Sequence, residues 1–187
     1  MKKIILTVFA ATSLLLYSTP SFAFSISVGV PVGSTITGEK PSAWASQFES
    51  EGVSGYFLGV QLPFALGLGM DSHKVKGDKP QELVIETNMY NLFYQLPIPV
   101  INLILGVGTG SQELICDDVG NGTSCSDSFD KGSATQFYTS LGFPIMPLFD
   151  LHISYRMITS KNIKWKGSEE KLDNSGSLIG AGFAFNF

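Results

Sequence analysis

The sequence predicts an all-β fold: an eight-stranded antiparallel up-and-down β-barrel that crosses a membrane. Three observations lead there. Apolar residues alternate with small or polar ones in eight separate segments, the connections between segments are alternately short and long, and nearly all charge lies in the long ones. Composition agrees, since 44% of the 187 residues are hydrophobic, 15% are charged and 20 are glycine, whereas an ordinary soluble domain is about a quarter charged. The net charge of -4 offers no basic footprint for nucleic acid. So high an apolar content also excludes a largely disordered chain.

The first segment is a targeting signal. Lys2 and Lys3 precede an apolar run from Ile4 to Leu16, and Ser21-Phe22-Ala23 follows, the three-part form of a cleaved secretory signal peptide. The run is too short for a membrane helix, which needs about 20 apolar residues. Residues 1–23 are therefore expected to be removed on export, and 24–187 to form the barrel domain.

The strands follow in order. Phe24, Ile26, Val28, Val30 and Val32 alternate with Ser25, Ser27, Gly29, Pro31 and Gly33. That is period 2, with one strand face apolar. Tyr56, Leu58, Val60 and Leu62 form the second apolar face, and Leu66, Leu68 and Met70 the third. Tyr90, Leu92, Tyr94 and Leu96 form the fourth, and Ile101, Leu103, Leu105 and Val107 the fifth. Phe137, Thr139, Leu141 and Phe143 make the sixth, Phe149, Leu151, Ile153, Tyr155 and Met157 the seventh, and Ile179, Ala181, Phe183, Phe185 and Phe187 the eighth.

Short joints at Pro63, at Pro97 to Pro99 and at Pro144 to Pro147 alternate with long polar segments near residues 34–52, 74–82, 111–134 and 159–175. Outer-membrane barrels have this asymmetry, with tight periplasmic turns and longer outer loops. Beyond residue 23, every charge except Asp71, Glu86, Asp150 and Arg156 falls in those four long segments. Glu86 is expected to project beyond the hydrocarbon. A soluble barrel would turn its apolar face inward and needs Lys and Glu outside; here the opposite face is largely glycine, serine and amides. Lipid is the better solvent for the apolar face.

The closing residues Gly182-Phe183-Ala184-Phe185-Asn186-Phe187 resemble the last strand of bacterial outer-membrane barrels. Tyr90-Asn91-Leu92-Phe93-Tyr94-Gln95-Leu96-Pro97 similarly resembles the strand-to-turn passage of small members such as the OmpA membrane domain and OmpX. The resemblance implies location in the Gram-negative outer membrane, contact with its lipid and lipopolysaccharide, and recognition of Phe183, Phe185 and Phe187 by the barrel-assembly machinery.

Eight strands enclose a lumen that side chains can fill. Phe57, Phe93, Ile104, Tyr138 and Leu178 are the bulky inward residues expected to close it. The inward polar set is Asp71, His73, Asp150, His152 and Arg156. Arg156 buried alone would cost several kcal/mol, so Asp71, at similar height on the opposite wall, is its predicted partner. An internal polar network is the expectation, with a small pore or carrier for ions or apolar solutes as the alternative function. His152-Ile153-Ser154 also resembles the His-x-Ser pair of outer-membrane lipid A deacylases, but strand parity turns both side chains into the lumen, away from lipid. No enzyme is expected, and a lipid A-modifying outer-membrane enzyme is the further alternative.

Gly106-Val107-Gly108-Thr109-Gly110 departs from the dinucleotide-binding spacing. Cys116 and Cys125, in the third long segment, are expected to form a disulfide in an exported chain. Glu113, Asp117, Asp118, Asp127 and Asp130 share that segment without EF-hand spacing, so neither a metal site nor a cofactor is expected. Lys74, Lys76, Lys79, Lys161, Lys164 and Lys166 are candidates for lipopolysaccharide phosphates, and Trp44 and Trp165 for the outer interface. The expected role is structural or a surface interaction with an extracellular ligand through the loops, by a monomer.

Overall fold

The computed structural model describes residues 24–38, 50–63, 65–77, 83–96, 98, 101–116, 129–160, 163–164 and 171–187. Among them are ten strands: β1 (Ser25–Ile36), β2 (Ser50–Gln61), β3 (Leu66–Gly77), β4 (Leu83–Leu96), β5 (Asn102–Cys116), β6 (Gly132–Met146), β7 (Phe149–Thr159), β8 (Ile163–Lys164), β9 (Lys171–Leu172) and β10 (Gly176–Asn186). Eight of them close an antiparallel barrel in the order β1-β10-β7-β6-β5-β4-β3-β2. Each barrel strand pairs with its neighbour in sequence, and β1 pairs with β10 from Ser25↔Asn186 to Ile36↔Gly176. Closure pairs the strands around the ring, as an apolar solvent requires because it cannot satisfy backbone N–H and C=O groups. The β1–β2 ladder, however, runs only from Ser25↔Gln61 to Gly29↔Phe57, so residues 30–36 of β1 and 50–56 of β2 do not pair across that seam.

The apolar face points outward on every barrel strand. Leu68, Tyr90, Val107, Ile153 and Ile179 are all exposed, Tyr90 by 69%. Around the short-turn end the belt becomes aromatic: Phe149 and Phe185 rings lie 4.0 Å apart, and Phe24 and Phe187 6.3 Å apart. A lipid-facing belt bounded by aromatic residues is the outer surface of a membrane barrel.

The strands are longer than the sequence reading placed them. β3 continues to Gly77, β4 begins at Leu83, β5 reaches Cys116 and β6 begins at Gly132, so Lys74, Lys76, Glu86 and Glu113 stand on strands. Polarity reverses in these extensions. Outward positions become Lys74, Lys76, Glu86 and Asn88, while inward ones become Val75, Ile85, Met89 and Leu114. Apolar-out alternation is a signature of lipid, and above the lipid the barrel takes the apolar-in pattern of a water-soluble one. Lys74 Nζ and Glu86 Oε2 pair at 3.0 Å on this outer surface, and Lys131 Nζ and Glu113 Oε2 at 3.4 Å. The long segment 159–175 also contains β8 and β9, which pair as a small hairpin.

Candidate functional site: the barrel interior

The lumen is stacked in layers. At the long-loop end is an apolar core of Val75, Ile85, Met89, Leu114, Ala134, Ile158 and Leu178, closed by Phe129 before β6 and by Ile163 of the β8–β9 hairpin, which is fully buried. Below it is the charged layer, and Tyr138, beside that layer, forms a second apolar cluster with Phe93 and Ile104 further down. Large inward side chains lie against inward glycines. An added Cβ at Gly67 would overlap the Phe93 ring, one at Gly106 the Tyr138 ring, and one at Gly180 would lie 2.5 Å from Phe57. Glycine-rich inner walls thus leave the space that the rings occupy.

Strands β3 and β7 place Asp71 and Arg156 opposite one another. Arg156 Nη1 donates to Asp71 Oδ2 at 2.8 Å, and Gln136 Nε2 donates to the same oxygen at 2.7 Å. Gln136 Nε2 also lies 3.0 Å from Asn91 Oδ1, which accepts from it. The guanidinium carbon sits 3.8 Å from the centre of the Phe57 ring and 4.3 Å from that of Tyr138. Both charges are buried. Pairing, amide donors and the two ring faces offset the cost of removing them from water.

His73 and His152 do not join this ion pair by any direct hydrogen bond among the described residues. His73 is buried one inward position above Asp71, with Nδ1 unpartnered among the described residues. His152 lies toward the short-turn end, where its Nδ1 pairs with Ser140 Oγ at 3.2 Å. Its Nε2 is 4.0 Å from Asp150 Oδ2, too far for a hydrogen bond. Asp150 Oδ2 instead accepts from Asn102 Nδ2 and, at 2.9 Å, from Asn186 Nδ2; Gln95 Nε2 donates to Asn102 Oδ1 at 2.8 Å. This chain of amides and one carboxylate ties β4, β5, β7 and β10 together at the short-turn mouth.

The five inward residues therefore divide into two groups, Asp71 with Arg156 and Asp150 near His152, with His73 apart. Sequence reading missed Asn91, Gln95, Asn102, Gln136, Ser140 and Asn186. Strand parity already put them inside, but which amide meets which carboxylate depends on register across strands distant in sequence. Ser154 is buried and inward like His152, and the histidine bonds Ser140 across the β6–β7 ladder. Among the described residues no group of three or more His, Cys, Asp and Glu side chains could hold a metal ion.

Several expected features fall outside the described residues: the signal peptide 1–23, Cys125, the acidic residues Asp117, Asp118 and Asp127, Lys79, Lys161 and Lys166, and Trp44 and Trp165. Phe183, Phe185 and Phe187 are exposed along β10 and just beyond it.

No protein-family model matches the chain, and no curated protein matches it in sequence. Solved structures do match. Neisserial surface protein A (NspA) superimposes with a TM-score of 0.60 at 14% identity, covering 89% of this chain and 98% of that one. The N-terminal β-barrel domain of Pseudomonas aeruginosa OprF gives 0.51 at 13% identity, over 87% and 97%. Outer membrane protein W of E. coli gives 0.50 at 10% identity, over 89% and 98%. With its closed eight-stranded topology, outward apolar belt and filled lumen, this chain has the fold of the small eight-stranded outer-membrane β-barrels.

Proposed function

We propose that the protein is a non-conducting barrel of the outer membrane, with a structural role and a surface-interaction role exercised through its long loops. The observation that carries this reading is the occupied lumen. Apolar side chains fill the long-loop end, the Arg156–Asp71 pair with Phe57 and Tyr138 spans the middle, and Phe93 and Ile104 lie below. Passage of a solute would require breaking a buried ion pair as well as moving packed rings. Refolded protein in a planar bilayer is expected to give no discrete conductance step; a reproducible open level would establish the pore reading instead.

Around this core the remaining roles follow from the sequence. Residues 1–23 direct export, Cys116 and Cys125 form a disulfide that stiffens the third loop, and Phe183, Phe185 and Phe187 present the assembly signal. Lysines near the outer rim meet lipopolysaccharide phosphates. Catalysis has little support: His152 is spent on Ser140 inside the wall, and acyl substrates lie outside it. Incubation with lipopolysaccharide is expected to release no fatty acid, whether His152 is present or replaced by Ala.

A further inference from the structure

We infer that the three short turns are part of the membrane-contacting surface: their apolar side chains sit in the acyl region of the inner leaflet and complete the belt that the strands begin. The turns read Leu62-Pro63-Phe64-Ala65, Leu96-Pro97-Ile98-Pro99-Val100-Ile101 and Phe143-Pro144-Ile145-Met146-Pro147-Leu148. No Lys, Arg, Asp or Glu occurs in residues 52–70, 87–112 or 132–149, the stretches that contain them. Turns in water draw chiefly on Gly, Pro, Asn, Asp and Ser; here proline alone of these is present. Leu62, Ile98, Ile145 and Leu148 are exposed, and Met146 is 63% exposed. An apolar patch of this kind marks a surface that meets lipid or protein.

Three observations favour lipid over a protein partner. First, the strands alone are too short for the membrane. Outward apolar positions span six residue steps on β4 (Tyr90 to Leu96) and on β6 (Phe137 to Phe143), and eight on β7 (Phe149 to Met157). At about 3.4 Å per residue and a tilt near 40°, these bands are about 16 to 21 Å tall, against about 25 Å for the apolar band of an outer-membrane barrel. Extension upward is closed off, because the next outward residues are Asn88 and Glu86 on β4 and Thr135 and Ser133 on β6. The remaining height comes from the turns, whose tips then reach the boundary between acyl chains and headgroups. Second, hydrocarbon excludes irregular backbone because its N–H and C=O groups go unmatched, and these turns meet that condition. Their five prolines have no N–H to satisfy. Leu62 N donates to Leu66 O at 2.7 Å and Ile98 N to Leu96 O at 2.9 Å, while Ala65 O accepts from Gln95 N at 2.8 Å and Leu148 O from Asn186 N at 3.0 Å. Third, a protein interface surrounds its apolar centre with a polar rim. Here Gln95, Asn102, Asp150 and Asn186 bond to one another at the lumen mouth and leave the outward patch without one. The short-turn end therefore offers lipid a surface and soluble partners none. This placement goes beyond the surface role proposed above and does not depend on whether the lumen conducts.

The test is spin labelling of the full barrel in phospholipid nanodiscs, which hold no other protein and leave both membrane faces open to reagents. In a background with Cys116 and Cys125 changed to serine, nitroxide-bearing cysteines are introduced singly by Leu62→Cys, Ile98→Cys and Met146→Cys. Leu141→Cys, in the belt, is the lipid standard, and Lys76→Cys, on the outer extension of β3, is the water standard. Collision with oxygen, which concentrates among acyl chains, is compared with collision with a water-soluble nickel chelate. At all three turns the oxygen-to-nickel ratio is expected to be several-fold above that at Lys76 and to approach that at Leu141. A ratio at any turn no higher than at Lys76 puts that turn in water and overturns the inference, leaving the patch to a soluble protein. Met146→Trp in the chain with its cysteines intact gives a second reading. Brominated acyl chains are expected to quench the added fluorescence, and absence of quenching overturns the inference as well. Neither result bears on the closed lumen, which bilayer conductance tests separately.

Discussion

Gly106 of β5 is the cross-strand partner of Tyr138 on β6, and the tyrosine ring lies over it so closely that a Cβ at Gly106 would overlap the ring. The same ring covers the Arg156 guanidinium, so Gly106 leaves the space for the ring that packs on the buried charge.

Gly106→Ala is accordingly expected to lower stability by about 1–3 kcal/mol, the usual cost of overpacking. Shortening the ring should relieve it. In Tyr138→Leu, the added methyl is expected to cost much less than in the wild type, which urea unfolding of vesicle-folded protein will show as positive coupling between the two changes.

The Asp71–Arg156 pair yields a second expectation. Asp71→Leu leaves a buried guanidinium without its carboxylate and should cost about 3–5 kcal/mol. Asp71→Leu combined with Arg156→Met should recover a large part of that loss. A double replacement no more stable than Asp71→Leu alone would mean that the ion pair is not what holds this layer.

Polarity reversal along β4 can be measured directly. Leu92 is outward within the lipid belt, whereas Asn88 is outward in the extension beyond it. Arginine at Leu92 is expected to cost about 2–4 kcal/mol and arginine at Asn88 about 0–1 kcal/mol. Equal penalties at the two sites would place the belt wrongly.

Ala65, in the turn between β2 and β3, has a φ of 62°, a left-handed conformation in which a Cβ costs roughly 1–2 kcal/mol. Ala65 is also buried, so its methyl contributes some packing. Ala65→Gly is expected to raise stability by about 0.5–1 kcal/mol or to leave it unchanged, as backbone relief and lost packing compete. A loss above about 1 kcal/mol would show packing to dominate.

Legibility of the fold varied with solvent. Within the lipid belt, alternation from Phe24 to Val32 or from Tyr90 to Leu96 was unmistakable, because lipid selects one apolar face and period 2 is intrinsic to a strand. Beyond the belt the same strands were read as loops. Lys74, Lys76 and Glu113 looked like loop charge, and the inward Val75, Ile85 and Leu114 were not recognised as the complementary face. The Ile163 hairpin gave no signal, since two-residue strands carry no period.

By itself the sequence determined the barrel, its strand number, the direction each residue faces within the lipid belt and the presence of charge inside, all of which follow from local alternation and loop length. Pairwise identity inside the lumen came only from tertiary structure. Asp71 meeting both Arg156 and Gln136, His152 meeting Ser140 rather than Ser154, and Asp150 meeting Asn102 and Asn186 depend on register and on distances across a closed ring. Strand parity tells which side chains enter that ring; only its closure brings them within hydrogen-bonding reach.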